Sequence, residues 1–416
     1  MENVFVIEGG YPLTGTVKVS GAKNAGLVVM AASIMAAGEV ILDNIPCIQD
    51  VEVMLQILGE IGVRTSWNED GSLSINPPAG DLKTFTSYEL SKRLRASSLF
   101  LGAMLGRQRE AVISLPGGCD IGSRPMDLHI KGVQALGAEV YIEHGYIYAK
   151  ASKPAGGSVY LDFPSVGATE NIIMMATKTP GITIIENAAK EPEIVDLANF
   201  LNSMGAKIRG AGTDVIKIEG VDELTPGRYG IIPDRIEAGT YMISAAISKG
   251  EVYVENVIPT HLHPIIAKLQ ETGAIVENRD NGIIVRASKK IYPVDIKTLP
   301  YPGFPTDLQS QMMALLTLAE GSSVIVENVF ENRFNIVDEL KRMGANIKVE
   351  GHTAVVEGTK RLFGARVKAT DLRAGAALVL AALAAKGETT IEDAWHIFRG
   401  YEQIRSKLSG LGAKVK

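Results

Sequence analysis

One short phrase recurs six times and limits what this chain can fold into: Ile61-Gly62-Val63, Leu136-Gly137-Ala138, Met204-Gly205-Ala206, Thr272-Gly273-Ala274, Met343-Gly344-Ala345 and Leu411-Gly412-Ala413. Its glycines stand 75, 68, 68, 71 and 68 residues apart. Each phrase closes a stretch with helical period, such as Pro192 to Met204, and opens a β-type run such as Ala206-Lys207-Ile208-Arg209. A glycine in that place suits the left-handed residue that ends a helix.

Upstream in each repeat lies a second helical stretch that is apolar on nearly every face, as in Ala25 to Ala37 or Gly239 to Ile247. A helix with no wet face must be surrounded by protein. A short β-branched strand follows and ends in an acid-amide pair: Asp43-Asn44, Glu186-Asn187, Glu255-Asn256 and Glu327-Asn328, with Glu392-Asp393 a variant. The second repeat departs, reading Ser114-Leu115-Pro116-Gly117-Gly118. Repeats of about 70 residues exceed the 20 to 50 of solenoids, so two closed lobes of three repeats fit better than a rod. The turn-rich stretch Thr225 to Pro233 is the expected crossing between them.

Composition narrows the function. Lys+Arg 42 against Asp+Glu 47 leaves a net charge of -5, which provides no field for a polyphosphate backbone, so nucleic acid is not an expected partner. Two cysteines are too few for a disulfide framework in 416 residues and favour a reducing compartment. The N-terminus lacks a signal-peptide pattern, and the most apolar segment, Ala374 to Ala385, falls short of the roughly 20 residues that cross a bilayer. No membrane is expected, and a cytoplasmic location is.

Charged residues interrupt the apolar pattern mainly just before helices. Lys23-Asn24, Arg95, Ser165-Val166-Gly167, Asp234-Arg235, Thr306-Asp307 and Asp371-Leu372-Arg373 precede the apolar helices, while Cys119 to Arg124, Glu191, Arg333 and Arg399 precede the amphipathic ones. Helix N-termini stabilise anions, and equivalent ends of threefold lobes should converge. Taken singly, Asp234, Ser165 and Asp371 also fit ordinary N-caps. Arginine at a helix N-terminus opposes the dipole, so Arg95, Arg124, Arg333, Arg373 and Arg399 as a set point to an anionic substrate.

The stretch Pro116-Gly117-Gly118-Cys119-Asp120-Ile121-Gly122-Ser123-Arg124-Pro125 reads as an exposed loop able to move over a site. Arg124 favours the thiolate of Cys119 and burial on closure opposes it, which poises the thiol as a proton donor. Cys47 lacks the glycine pair and a nearby arginine and reads as structural. The close pair His261 and His263 has no further ligand cluster, and neither GxxxxGK[ST] nor GxGxxG occurs, so neither metal nor nucleotide cofactor is expected.

Several motifs, in this order, closely resemble the enolpyruvyl transferases that act on UDP-N-acetylglucosamine: Ser20-Gly21-Ala22-Lys23-Asn24, Leu115 to Pro125, Pro233-Asp234-Arg235-Ile236-Glu237, Phe304-Pro305-Thr306-Asp307, Glu331-Asn332-Arg333 and Thr370-Asp371-Leu372-Arg373. The resemblance implies a two-lobed inside-out α/β barrel with its apolar helices buried. It places residues 22–230 in one lobe, residues 1–21 with 231–416 in the other, and the active site in the cleft between them. It implies transfer of the enolpyruvyl group of phosphoenolpyruvate to the 3'-hydroxyl of UDP-N-acetylglucosamine, with release of phosphate and no cofactor or metal.

By the same resemblance Lys23, Arg124 and Arg399 hold the phosphate of phosphoenolpyruvate, and Arg333 and Arg373 face its carboxylate. Asp307 is the candidate general base, with Asp371 in the same set. Cys119 is the acid of the mobile loop and the residue alkylated by fosfomycin. Asn24, Arg95, Ser165, Val166, Gly167 and Val329 line the sugar-nucleotide cleft, with Thr306 in the substrate-binding set and Glu191 and Arg235 near the domain interface. A shikimate-type enolpyruvyl transferase is the nearest alternative, although that branch lacks the Gly-Gly-Cys loop; a non-catalytic sugar-nucleotide-binding relative is a second.

Overall fold

The computed structural model describes residues 3–84, 86–115 and 125–416. They divide into two compact units: an N-terminal unit from residue 21 to residue 232, and a C-terminal unit of residues 3–20 with 233–416. Each has its own hydrophobic core.

The six apolar helices are Lys23–Ala32, Phe100–Gln108, Val166–Thr177, Arg235–Ile247, Gln309–Leu316 and Leu372–Ala384. In Arg235–Ile247 every residue from Ile236 onward is buried, and in Leu372–Ala384 every residue up to Leu383. Alanine and glycine make this possible, because small side chains let backbones approach closely; a Cβ on Gly102 would stand 2.2 Å from the backbone oxygen of Asn171 on the neighbouring helix. Within the C-terminal unit the three apolar helices pack against one another. In the N-terminal unit Phe100–Gln108 packs on both Lys23–Ala32 and Val166–Thr177.

A small sheet accompanies each apolar helix, and most share one plan. In the third repeat the strand after the helix, Ile182–Glu186, pairs in parallel with Ser158–Tyr160 on one side and antiparallel with Val215–Glu219 on the other, while Lys207–Arg209 closes the edge. Strand burial alternates, as in Ile182–Glu186, so one face meets the core and Ile182 and Val215 remain exposed on the other. In the second repeat the backbone hydrogen bonds Thr86 N to Val112 O and Val112 N to Thr84 O run beside Glu110–Ser114 where the other sheets have their parallel strand.

The chain ends complete this plan. Val4–Glu8 pairs antiparallel with both Glu388–Glu392 and Lys414–Val415, supplying an inner strand to the sixth repeat. Thr14–Lys18 is the parallel strand of the fourth, beside Glu251–Glu255. Arg228–Gly230 pairs in parallel with Ile41–Asp43 and is the parallel strand of the first. The turn-rich segment 225–233 thus contains a short strand that period alone did not reveal, and the change from one unit to the other falls within it, between Ile232 and Pro233.

Both repeated signatures have a structural reason. The six phrase glycines, Gly62, Gly137, Gly205, Gly273, Gly344 and Gly412, all have φ between 89° and 101°, the left-handed region a Cβ disfavours. The asparagines of the acid-amide pairs hold the sheets together: Nδ2 of Asn44, Asn187, Asn256 and Asn328 donates to the carbonyls of Ile231, Leu161, Val19 and Thr298 at 2.8, 2.7, 2.8 and 3.0 Å. Each acceptor lies at or just beyond the end of the parallel strand. The second repeat has no asparagine there.

Candidate active site

In the C-terminal unit the expected convergence of helix ends is realised. Asp307 lies in the short 3-10 turn Thr306–Leu308 that leads into Gln309–Leu316. Arg333 donates through its terminal nitrogen to Oδ1 of Asp307, and Arg373 Nη2 donates to Oδ2 at 2.8 Å. Both arginine side chains are nearly wholly buried, at 2% and 6% exposure, whereas the Asp307 side chain is 25% exposed. Arg333 also approaches the carbonyl of Thr306 at 3.4 Å and Asp371 at 4.0 Å. Burial opposes the charge of Arg373, but Asp307, Tyr401 and Asp234 outweigh it and hold the guanidinium more firmly protonated than an ordinary arginine.

The surrounding residues fix this cluster. Gln311 Nε2 donates to the carbonyl of Asp307 at 2.8 Å and to the Tyr401 hydroxyl at 3.3 Å, and that hydroxyl meets Thr240 Oγ1 at 2.9 Å. The Tyr401 ring lies 5.9 Å from the Arg373 guanidinium carbon. Glu327 accepts from Thr306 Oγ1 at 3.1 Å and from the backbone of Val329 at 2.8 Å, which orients both predicted positions. Arg235 opens its helix and stacks over Tyr301 at 5.6 Å.

Asp234 and Asp371 cap their helices. Asp234 accepts from the N–H of Ile236 and Glu237, and Asp371 from those of Arg373 and Ala374 at 2.8 and 3.1 Å. Arg399 corrects the dipole argument made for it: it ends the short helix Trp395–Phe398, where a cation complements the dipole, and no helix starts until Ile404. Arg333 likewise precedes its helix, Val337–Arg342, by several residues.

The motif Pro233 to Glu237 has an internal partner. Glu237 accepts from Ser20 N at 2.8 Å and from Lys407 Nζ at 2.6 Å; Lys407 also donates to Ser20 Oγ at 2.6 Å, and Ser20 Oγ donates to Glu402. Burial pushes the Glu237 carboxyl up against the pull of Lys407. This cluster anchors Ser20, the last residue of its segment of the C-terminal unit.

In the N-terminal unit Lys23 opens its helix and pairs with buried Asp50 at 3.1 Å, with exposed Asn24 beside it. Arg95 opens the 3-10 helix Arg95–Leu99, and Ser165 caps Val166–Thr177 by accepting from Ala168 N at 3.3 Å. Sequence reasoning missed what joins them. Asn171 Oδ1 accepts from Gly102 N at 2.6 Å, while its Nδ2 donates to Ser98 O at 3.1 Å, Gly167 O at 3.2 Å and His129 Nδ1 at 2.7 Å. One amide therefore locks the segments carrying Arg95 and Gly167 to the helix Asp127–Ala135. Burial first, and Arg95 second, push His129 down to about 3. The only sequence signal was an asparagine in an apolar helix.

Glu191 precedes Pro192–Ser203 and is buried with Glu170 and Glu193. Burial chiefly, then Glu193 and Glu191, pushes the Glu170 carboxyl well above its ordinary value. Cys47, read as structural, is exposed. Cys119 and Arg124 lie outside the described residues. Among the described residues no helix is long and apolar enough to cross a membrane.

Comparison with known proteins agrees with this architecture. The profile of the family described as EPSP synthase (3-phosphoshikimate 1-carboxyvinyltransferase) matches residues 7–408. The chain is 56% identical over 415 residues to UDP-N-acetylglucosamine 1-carboxyvinyltransferase 1 of Caldanaerobacter subterraneus, covering 100% of this chain and 99% of that one. With the Staphylococcus aureus protein of the same name it shares 51% over 413 residues, 99% and 98% of the two chains. Among solved structures, the enolpyruvyl transferase NikO from Streptomyces tendae superposes with a TM-score of 0.88 at 25% identity, covering 99% of this chain and 98% of that one. EPSP synthase from Acinetobacter baumannii gives 0.75 at 20% identity over 99% of both chains, a likeness of fold. The inside-out α/β architecture and the end-to-end identity lead to one assignment: the chain belongs to the enolpyruvyl transferase family and groups there with the UDP-N-acetylglucosamine 1-carboxyvinyltransferases.

Proposed function

We propose that this protein transfers the enolpyruvyl group of phosphoenolpyruvate to the 3'-hydroxyl of UDP-N-acetylglucosamine, the committing step of peptidoglycan synthesis, in the cytoplasm. The hydroxyl oxygen adds to C2 of phosphoenolpyruvate as its methylene takes a proton. The tetrahedral adduct then loses that methyl's proton and expels phosphate by C–O cleavage, restoring the double bond as an enol ether.

The carrying observation is the convergence of two buried guanidiniums, Arg333 and Arg373, on Asp307. That is a receptor for a carboxylate beside a group able to accept a hydroxyl proton. Between the two candidate bases the geometry favours Asp307, because Asp371 is committed to capping its own helix. Lys23, Arg124 and Arg399 are assigned to the substrate phosphate and Cys119 to protonation of the methylene carbon. Asn24, Arg95, Ser165, Val166, Gly167, Thr306 and Val329 are assigned to the sugar nucleotide. Glu191 and Arg235 are assigned supporting roles.

The test is phosphate release from phosphoenolpyruvate with either UDP-N-acetylglucosamine or shikimate 3-phosphate as acceptor. Release is expected with the sugar nucleotide alone, and fosfomycin should abolish it by opening its epoxide on the Cys119 thiolate, a mass increase that Cys119→Asp prevents. Arg399→Ala should lower turnover roughly 100-fold or more, as for other groups that stabilise developing charge in a dry site. A loss of tenfold or less would remove Arg399 from the machinery.

A further inference from the structure

The two guanidiniums that make the carboxylate receptor are already occupied. Asp307 offers one oxygen to Arg333 and the other to Arg373, so both faces of its carboxylate are engaged in charge-assisted hydrogen bonds. A carboxylate bonded in this way is poorly placed to accept a hydroxyl proton, because each oxygen directs a lone pair at a cation and the two positive charges favour its ionised form. The guanidiniums are the fixed partners: Arg373 lies in a buried helix over Tyr401, and Arg333 is held against the carbonyl of Thr306 and near Asp371. Asp307 is the partner with room to move, since its side chain is the most exposed of the three. Its backbone is nonetheless held by Gln311, which confines the movement to the side chain.

Building on the proposed function, we propose that Asp307 is an internal stand-in for the substrate carboxylate: the carboxylate of phosphoenolpyruvate displaces it from Arg333 and Arg373, and that displacement arms it as the base. Binding and activation are then one event. The acceptor hydroxyl is deprotonated only when the enolpyruvyl donor is seated, and a sugar nucleotide bound alone meets a base whose oxygens are taken. The two buried guanidiniums stay paired at either stage, since one carboxylate replaces another between them, while the displaced Asp307 gives up both cations.

The experiment uses 2-phospholactate, the saturated analogue of phosphoenolpyruvate, which carries the same carboxylate and phosphate but no double bond to react. Its binding to the full-length protein is measured calorimetrically in the presence of UDP-N-acetylglucosamine, for wild type, Asp307→Asn and Asp307→Ser. Removing the internal competitor should tighten binding roughly tenfold, the order set by one charge-assisted competitor for the same donors, while turnover of phosphoenolpyruvate collapses. The analogue should also raise the melting temperature of the variants more than that of wild type. A residue with a merely structural or purely basic role would leave binding unchanged or weaken it, and either result in both variants overturns the inference. If wild type binds no phospholactate and releases no phosphate from phosphoenolpyruvate, the functional reading itself has failed and takes this inference with it. If wild type turns over and the variants bind no more tightly, only the exchange is wrong.

Discussion

His129 should make the N-terminal unit acid-sensitive, and the hydrogen bonds around it say how much. Its Nδ1 faces the amide nitrogen of Asn171 at 2.7 Å, and that amide cannot turn over, because its oxygen is bonded to Gly102 N and its nitrogen serves Ser98 O and Gly167 O. A proton on Nδ1 would set donor against donor in a buried site. Burial and Arg95 act in the same direction and bring the imidazole down to about 3, against 6.5 for the free side chain. Between these values the unfolded chain binds the proton and the folded one does not, so stability rises with pH through this window and is lost on acidification. The stability is complete above about pH 7. The loss should reach about 1 kcal/mol at pH 5.5 and about 3 kcal/mol at pH 4.5.

The assay is urea unfolding from pH 7.5 to 4.5 in a Trp395→Phe background. Trp67, in the strand Arg64–Trp67, then reports the N-terminal unit alone. His129→Gln keeps an acceptor toward Asn171 and cannot titrate. That variant should be less stable at neutral pH but should lose about 3 kcal/mol less than its parent between pH 7.5 and 4.5. Parallel curves for the two proteins would refute the reasoning.

Two further predictions concern the framework. Gly102→Ala should cost about 3 kcal/mol or more in the same unfolding assay, because the added carbon meets the backbone of Asn171 rather than a movable side chain; Gly59→Ala, in a helix with nothing within 4 Å, should instead stabilise by about 0.5 to 1 kcal/mol. Asn187→Ala should cost about 2 kcal/mol, since it loses the bond to Leu161 O and the side chain that makes asparagine tolerant of φ 56°, whereas Asn187→Gly, which loses the bond but has no Cβ to strain there, should cost about half as much.

The repeat was legible because its period is enforced by backbone geometry. Gly62 and its five counterparts must all adopt the same left-handed turn, so the same residue recurs. The apolar helices were legible because a helix wrapped by protein has no polar face to blur its pattern. The strand Arg228–Gly230 was not, since three residues set by a neighbouring ladder leave no period of their own. The acid-amide pairs were visible but unexplained, because the carbonyl each asparagine holds lies between about 26 and 237 residues away in sequence. Asn171 was hidden for the same reason: its partners come from four segments, and a lone amide in an apolar stretch gives no hint of them.

At the helix ends, where the sequence lets a polar residue be a cap or part of a site, the side chains divide by the partner they take. Ser165, Asp234 and Asp371 each accept from the backbone of their own helix. The helices beginning at Lys23 and Arg95, and the turn at Thr306, have no side-chain cap at all. Lys23 and Asp307 are turned instead toward groups of opposite charge contributed by other elements, Asp50 for the one and Arg333 with Arg373 for the other. Forgoing a cap costs about 1 kcal/mol per helix. A pattern in which three of six equivalent ends are capped and three are not is hard to justify by stability alone, because every repeat could have used the same aspartate. It follows if the side chains at the uncapped ends are kept for charged partners, while a capped end such as that of Leu372–Ala384 holds its own arginine, Arg373, rigidly in place.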